Sequence, residues 1–465
     1  MSVNFKHILI IFSVLFFLKL NAQENIGTLL KIAAKNNPGL KAKYNKYLAD
    51  SQKIRQAGSL PDPDISFGYF IKPMELVNGN QQAQMQLMQM FPWFGTFKAA
   101  RNEASAMTLS SFELFRAAKE EIFFNIRNDY YQLFLTKKQI QVYDTTFVLL
   151  KSIEQLLLTK SATINTGNTN QVNTGNQILN SNIVQGNNSM NMNSNSQLSN
   201  QQGMTTINSQ SMTGSSSAFS DLLRLQVEIK ELEDNIALLK NRKQMLIIQI
   251  NLLLNRNSDT EIFIPDSLNI PFFDFHNPAL FDSIKVNNPM IKMNKADVLA
   301  YQQQQQMNKK LRYPMIGMGL NYMLINKSDM STSGMNGKDM FMPMLTLKLP
   351  IYRKKYNASI KEAQYLENSS DEQLSNTENI LLMEFYEYQF ALKDAERKSS
   401  IYHDIISLTQ KSFDLLLVQY SSSGADFDAL IRLHRQLLDY KLNIFRAQVD
   451  KLSAIAGLQK LLSKN

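Results

Sequence analysis

Hydrophobic positions along this chain recur with two different periods. Between Leu222 and Leu253 the apolar residues keep a 3-4 spacing through Leu225, Ile229, Leu232, Ile236, Leu239, Leu246 and Ile250. The same spacing returns from Leu430 through Leu433, Leu437, Tyr440 and Ile444 to Leu461. This is the seam of long, laterally packed helices. Both seams share one break, Lys243 in the first and Lys451 in the second. Such a lysine either faces a lumen or neighbouring subunit, or snorkels from the seam. Phe112, Phe115, Ile122, Ile126, Tyr130 and Leu133 predict another helix. Elsewhere the period is two. Ile65, Phe67 and Tyr69 alternate with Ser66 and Gly68, and Ile316, Met318, Leu320 and Tyr322 alternate with Gly317, Gly319 and Asn321. Ala83, Met85 and Leu87 stand between glutamines, and Leu345, Leu347 and Leu349 flank Thr346 and Lys348. These are strands with one apolar face and one small or polar face.

The two periods occur in the same order twice, so the chain reads as an internal duplication. Each half opens on a short helical phrase ending in Asn-Asn-Pro (Asn36-Asn37-Pro38 and Asn287-Asn288-Pro289). A polar helix follows and stops at Pro61 or Pro314, since proline lacks the N–H that would continue it. Two strands and a long helical hairpin complete each half. The first repeat is placed at 23–258, with strands at about 64–71 and 82–91 and a hairpin at about 103–255. A linker covers 259–275. The second repeat is placed at 276–465, with strands at about 315–324 and 340–349 and a hairpin at about 360–462.

The halves differ by an insertion. Ala104 and Ala363 stand 259 apart, but Phe219 and Phe427 only 208, so about 51 residues are extra in the first hairpin. They correspond to residues 161–217, which hold no charged residue and no proline and consist almost wholly of Asn, Ser, Thr, Gln and Gly with a few Met. That composition cannot bury a core. It stands where the second hairpin turns, at Ser421–Gly424.

The N-terminus carries Lys6, the apolar run Ile8–Leu18 and the small-residue context Leu20-Asn21-Ala22. This is the layout of a secretory signal peptide at 1–22, and the run is too short to span a bilayer. The formal charge of +9 falls to about +7 without Lys6 and Lys19. The basic residues are spread along helical stretches rather than clustered, which speaks against a nucleic-acid partner. There is no cysteine, hence no disulfide, no thiolate metal site and no lipidated N-terminal Cys. Gly-rich phosphate loops, HExxH and GxSxG elements are absent, so nothing points to an enzyme or a cofactor.

Hairpins of about 50 residues reach ~75 Å and must pack side by side. Four strands cannot close a barrel, which takes about eight, and open edges are forbidden in lipid. Several copies would therefore pool their strands. The expected fold class is an α+β membrane protein whose strands form an outer-membrane β-barrel and whose hairpins extend from it.

Leu60-Pro61-Asp62-Pro63-Asp64 followed by Phe67-Gly68-Tyr69-Phe70, together with Gln89-Met90-Phe91-Pro92-Trp93-Phe94-Gly95, resembles the TolC-type outer-membrane efflux proteins, including the CusC/CzcC-like branch. The resemblance covers essentially the whole mature chain. It implies a homotrimer with four strands per protomer in a twelve-stranded barrel, continued by a periplasmic α-barrel. It also implies a periplasmic adaptor and an inner-membrane RND-type pump as partners, with the chain as passive exit duct. In this family acidic residues near the second hairpin tip narrow the tunnel, and Asp426 and Asp428 match them. Asp221 in the first half is a third candidate. N-capping of the last helix is the alternative role for these aspartates. Phe91, Trp93, Phe94 and Phe97 stand where an interfacial aromatic belt would sit, or pack an ordinary strand–helix junction. The enlarged first hairpin tip departs from the family pattern.

The 23 methionines leave two readings open. Thioethers suit Cu(I) and similar soft ions, and Met190, Met192, Met204 and Met212 in the insert, with Met330, Met335, Met340, Met342 and Met344 farther on, could collect them. Met in strand and helix interiors fits gap filling instead. A periplasmic coiled-coil adaptor or structural protein would explain the helices but not the paired strands.

Overall fold

The computed structural model describes residues 25–166, 213–269, 279–423 and 426–463. The signal-peptide segment, most of the insert and its four methionines lie outside them. The elements run α1 (Ile26–Asn36), α2 (Pro38–Ala57), β1 (Asp64–Leu76), β2 (Gly79–Phe91), α3 (Thr96–Thr166) and α4 (Thr213–Leu253). Then follow α5 (Ala279–Asn287), α6 (Pro289–Lys310), β3 (Met315–Asn326), β4 (Met340–Lys348), α7 (Arg353–Ser423) and α8 (Phe427–Leu462). Among the described residues no helix is long and apolar enough to cross a membrane.

The Asn-Asn-Pro phrases do the same work in both halves. Pro38 and Pro289 open α2 and α6, where a missing N–H costs nothing. Asn37 caps α2 by accepting from the Leu40 N–H at 3.1 Å, and Asn288 caps α6 by accepting from the Met290 N–H at 2.9 Å. The other end of each amide donates to the closing helix of its half: Asn37 Nδ2 to the Leu253 carbonyl at 2.8 Å, Asn288 Nδ2 to the Leu461 carbonyl at 3.0 Å. Both side chains are buried. Asn288→Ala loses both the cap and the donor and is expected to cost about 1–2 kcal/mol, and Asn288→Asp at least as much, because its buried carboxylate would face the Leu461 carbonyl oxygen. Thermal melting of the two variants beside the wild type checks this.

The four strands form one antiparallel sheet in the order β1-β2-β3-β4. The central pair joins the halves, with Met85 opposite Tyr322 and Leu87 opposite Leu320. The β1–β2 turn depends on Gly79, whose φ is +126° and where a Cβ would meet the Asn326 carbonyl. The strands extend past the expected ends, β1 to Leu76 and β2 back to Gly79, because the hairpin keeps pairing beyond an irregularity between Tyr69 and Met74. Pro73 falls in that irregular stretch, on an edge strand where its missing N–H is tolerated.

The helices also differ from expectation. α3 begins at Thr96, not near 103, directly after Gly95 takes a φ of +84°. α3 and α4 run to Thr166 and from Thr213, so both ends of the expected 161–217 insert are helical. Residues 259–269 have no helix or strand but are anchored: Ile262 and Ile264 are buried, and Asn251 Nδ2 donates to the Ser258 and Thr260 carbonyls at 2.7 and 2.8 Å.

The described residues divide into two compact units. The first comprises the chain up to Phe134, Gln244–Lys398 and the segment from Ala447. It contains the sheet and a core in which Ile284 and Ile291 pack with Leu381, Phe385, Leu392, Ile455 and Leu458. The second comprises Leu135–Lys243 and Ser399–Arg446. Its core sets Leu150, Ile153 and Leu157 of α3 against Leu225, Ile229 and Leu232 of α4, with Phe413 of α7 and Leu430 and Leu437 of α8. Leu225, Ile229, Leu232, Leu430 and Leu437 are seam positions read from the sequence, and the partners from α3 and α7 are not.

Candidate functional site

The register sorts the sheet into two unlike faces, since a period-two backbone sends alternate side chains to opposite sides. One face carries Phe67, Met85, Tyr322 and Phe341 in a row across all four strands, and Ile65, Leu87, Leu320 and Pro343 in the next. Ile65, Phe67, Tyr69 and Leu345 are each about two-thirds exposed or more. A contiguous apolar surface of this kind calls for an apolar environment. The opposite face carries Ser66, Gln86, Asn321 and Met342 in one row, and Gly68, Gln84, Met323 and Met340 in the next. It is the less exposed of the two: Gly317, Asn321 and Met88 are buried there. β1 and β4 are the edges, each paired on one side only.

The junction below the strands gathers aromatic rings from both halves. Phe91 and Phe94 are exposed, Phe94 by 83%, while Trp93 and Phe97 are half-buried. Trp93 stacks on Tyr313 with ring centroids 5.4 Å apart and meets Phe94 edge-on at 6.0 Å. Tyr313, at the same junction of the second half, was not expected from the sequence. Neither were Ile351 and Tyr352, which follow β4 and are more than three-quarters exposed. No period marks these positions, and Tyr313 meets Trp93 only because β2 pairs with β3.

In the second unit the acidic candidates fall into different environments. Asp426 is the N-cap of α8: its Oδ1 accepts from the Asp428 N–H at 3.0 Å, and its carbonyl from the Leu430 N–H at 3.3 Å. Asp428 pairs with Arg432 at 2.7 Å and with Arg224 of α4 at 3.4 Å. Next to them Arg435 pairs with the buried Glu228 and reaches Glu231 at 3.8 Å. Arg224, Glu228, Asp428, Arg432 and Arg435 line a cavity of about 300 Å³ with Val227, Phe427 and Ile431. Asp221 lies near Tyr420, whose hydroxyl is pushed up to about 12 by burial and then by the Asp221 charge. Asp426→Ala is expected to cost about 1 kcal/mol through the lost cap. Asp428→Ala, breaking exposed pairs, should cost no more than about half of that. Denaturant melts of the two variants separate the roles.

The shared lysines also diverge. Lys451 is partly buried and pairs with Glu396 at 2.9 Å, whereas Lys243 is exposed. Two methionines of the β3–β4 loop, Met330 and Met335, are exposed. That loop is held over the β1–β2 turn by Ser331 Oγ donating to the Val77 carbonyl at 2.5 Å and Ser333 Oγ to Asn78 Oδ1 at 2.9 Å. Among the described residues no cluster of three or more His, Asp or Glu has metal-binding proximity.

No protein-family model matches this chain. No curated protein matches it either. Solved structures do. A membrane protein from Pseudomonas aeruginosa aligns with a TM-score of 0.70 at 14% identity, over 94% of this chain and 90% of that one. CusC, solved in a study of folding and transmembrane channel formation, aligns with a TM-score of 0.66 at 13% identity, over 95% and 92%. The open MtrE outer-membrane channel of Neisseria gonorrhoeae aligns with a TM-score of 0.64 at 12% identity, over 94% and 88%. At such identities the likeness is one of fold: long helices with four antiparallel strands per chain, shared over nearly the full length of each partner.

Proposed function

We propose that this chain is one protomer of an outer-membrane exit duct, passively conducting the cargo of an efflux pump to the exterior. The observation that carries the reading is the two-faced sheet. Its apolar face suits lipid, its polar face suits a water-filled interior, and β1 and β4 each keep one unpaired edge. Lipid does not tolerate such edges, so copies must join β1 to β4. Three copies give twelve strands. On this reading the chain is exported, the helical hairpins stand in the periplasm as an α-barrel, and a periplasmic adaptor and an inner-membrane RND-type pump engage them. Phe91, Trp93 and Phe94, extended by Tyr313 and Tyr352, form the interfacial belt. Of the acidic candidates, Asp426 is favoured for a tunnel constriction, because two arginines already neutralise Asp428. The duct needs no cofactor and performs no chemistry. Drug and metal cargo, and membership of the CusC-like branch, stay equal under this reading. A periplasmic adaptor or structural protein would have no use for an exposed apolar sheet face.

The test exploits the absence of cysteine. Gly68→Cys on β1 combined with Thr346→Cys on β4, both on the polar face, should give oxidant-dependent covalent trimers in membranes, and neighbouring positions on β4 can be scanned for register. Purified protein should conduct K⁺ across planar bilayers. A chain that stays monomeric at every register and conducts nothing would refute the duct.

A further inference from the structure

The methionines of the sheet are not distributed as generic apolar filler. Over the regularly paired rows, the small and polar face carries Met88 and Met90 on β2, Met315 and Met323 on β3, and Met340, Met342 and Met344 on β4. Over these rows, from Met315 to Met323, no Leu, Ile, Val or Phe occupies that face, and Ile325 is the first to do so, beyond the irregularity at Gln81/Ala83. The opposite face carries only Met85 and Met318 among its Leu, Ile, Phe and Tyr. If methionine merely replaced leucine, it would favour the face where leucine abounds. It does the reverse. Over the regularly paired rows the apolar side chain of this face is a thioether each time, which points to selection for sulfur itself.

The sulfurs also converge. A Cβ on Gly317 would lie 2.5 Å from Met90 Sδ and 3.2 Å from Met88 Sδ, so both thioethers crowd over one glycine. A Cβ on Gly319, the next residue on this face, would meet the Leu87 carbonyl at 2.7 Å and Met88 Sδ at 3.1 Å, and Gly319 is flanked by Met344 on β4. The glycines therefore open a shallow seat in the sheet that sulfur atoms fill. One row away, Asn321 Oδ1 is buried without a hydrogen-bond partner beside Met342. From Met315 to Met323 the thioethers span eight residue steps, about 27 Å along the strand at ~3.4 Å per residue. With strands tilted by about 35–45°, that covers about 20 Å of the roughly 25 Å apolar band of an outer-membrane barrel. The exposed Met330 and Met335 stand in the loop that follows β3.

We propose that this face is a thioether track for soft monovalent cations, Cu(I) or Ag(I), with its best site at Met88, Met90 and Met344. The proposal rests on the reading of this face as the lining of the duct. Uncharged thioethers are soft ligands that select such ions over Na⁺, K⁺ or Mg²⁺. A series of modest sites holds an ion without trapping it, as conduction requires. Binding needs no change of oxidation state, so Ag(I) alone is a sufficient probe.

The experiment titrates Ag(I) into the purified full chain in detergent, by calorimetry and by X-ray absorption at the silver edge. Three proteins are compared: the wild type, Met88→Leu/Met90→Leu/Met344→Leu, and the opposite-face control Met85→Leu/Met318→Leu. Leucine conserves volume, so both variants should fold, and oligomeric state on a sizing column verifies it. The wild type and the control should bind with sulfur ligation, and the triple variant should bind at least ten-fold more weakly or lose a site. Equal binding in all three proteins, or none in the wild type, would overturn the track. Planar-bilayer K⁺ conductance of the wild type decides the duct separately: conductance without Ag(I) binding removes the track alone, and Ag(I) binding without conductance removes the duct alone.

Discussion

Placing arginine at Leu320 should destabilise the assembled protein by about 2–4 kcal/mol per copy, while arginine at Gln84 should cost about 0–1 kcal/mol. Both residues are exposed in the isolated sheet, so solvent exposure alone forecasts no difference. The register forecasts a large one. Leu320 sits between Leu87 and Pro343, one row from Met318 and Tyr322 on the apolar face, and near the middle of β3. In lipid its guanidinium would lie far from water, with few partners within reach. Gln84 lies on the face with Gly68 and Met323, where a charge keeps its hydration. Yield of folded protein in outer membranes, and the temperature at which oligomers dissociate in detergent gels, read the contrast. Equal tolerance at the two positions would show that neither face meets lipid.

Acidification is the second case. His434 lies in the second unit, 4% exposed, with its ring 5.6 Å from that of Phe413. Neither ring nitrogen has a hydrogen-bond partner. Burial first, and then the Lys441 charge, lower its pKa to about 4. Lys441 is itself half-buried, lowered by burial and partly restored by Asp414, and donates to Gln410 Oε1 at 3.0 Å. The sign follows from proton binding. Between about pH 4 and 6.5 the unfolded chain holds a proton on this histidine and the folded chain does not, so stability rises with pH across that window. Going from pH 7 to 4.5 should remove about 2–3 kcal/mol. Below about pH 4 this group adds no further loss. Amide exchange in peptides from Ser399–Arg446, corrected for intrinsic rates, should show opening roughly 50-fold more frequent at pH 4.5. His434→Phe should flatten the dependence by filling the same space with a group that cannot titrate. A wild type whose protection is unchanged by acid, or a variant with the same slope, would mean that the proton is accommodated.

The duplicated layout is legible in the sequence because helix and strand periodicities are local. A 3.6-residue or two-residue repeat announces its own secondary structure, and Asn-Asn-Pro announces a helix start. The alternation at Ile65–Tyr69 and Ile316–Tyr322 likewise stated in advance that each strand has one apolar face. Strand ends and helix starts were less legible. β1 outruns its clean alternation because pairing with β2 continues past an irregular stretch, and α3 starts early because Gly95 turns the chain.

What the sequence by itself determined is therefore the inventory: two copies of a strand pair and a helical hairpin, two-faced strands, a polar insert and no cysteine. Only the tertiary structure decided which residues meet. The partnership of β2 with β3 joins segments more than 220 residues apart, and it alone stacks Trp93 on Tyr313 and brings Met88 and Met90 over Gly317. The packing of α7 against α8 sets the Phe413 ring on His434. The two Asn amides show the same division: their capping role is written in the adjacent proline, but their donors' targets, the carbonyls of Leu253 and Leu461, are not. Local patterns encode local dihedral preferences and which face is apolar. Long-range neighbours depend on a register that is settled only when the whole sheet and both cores form together.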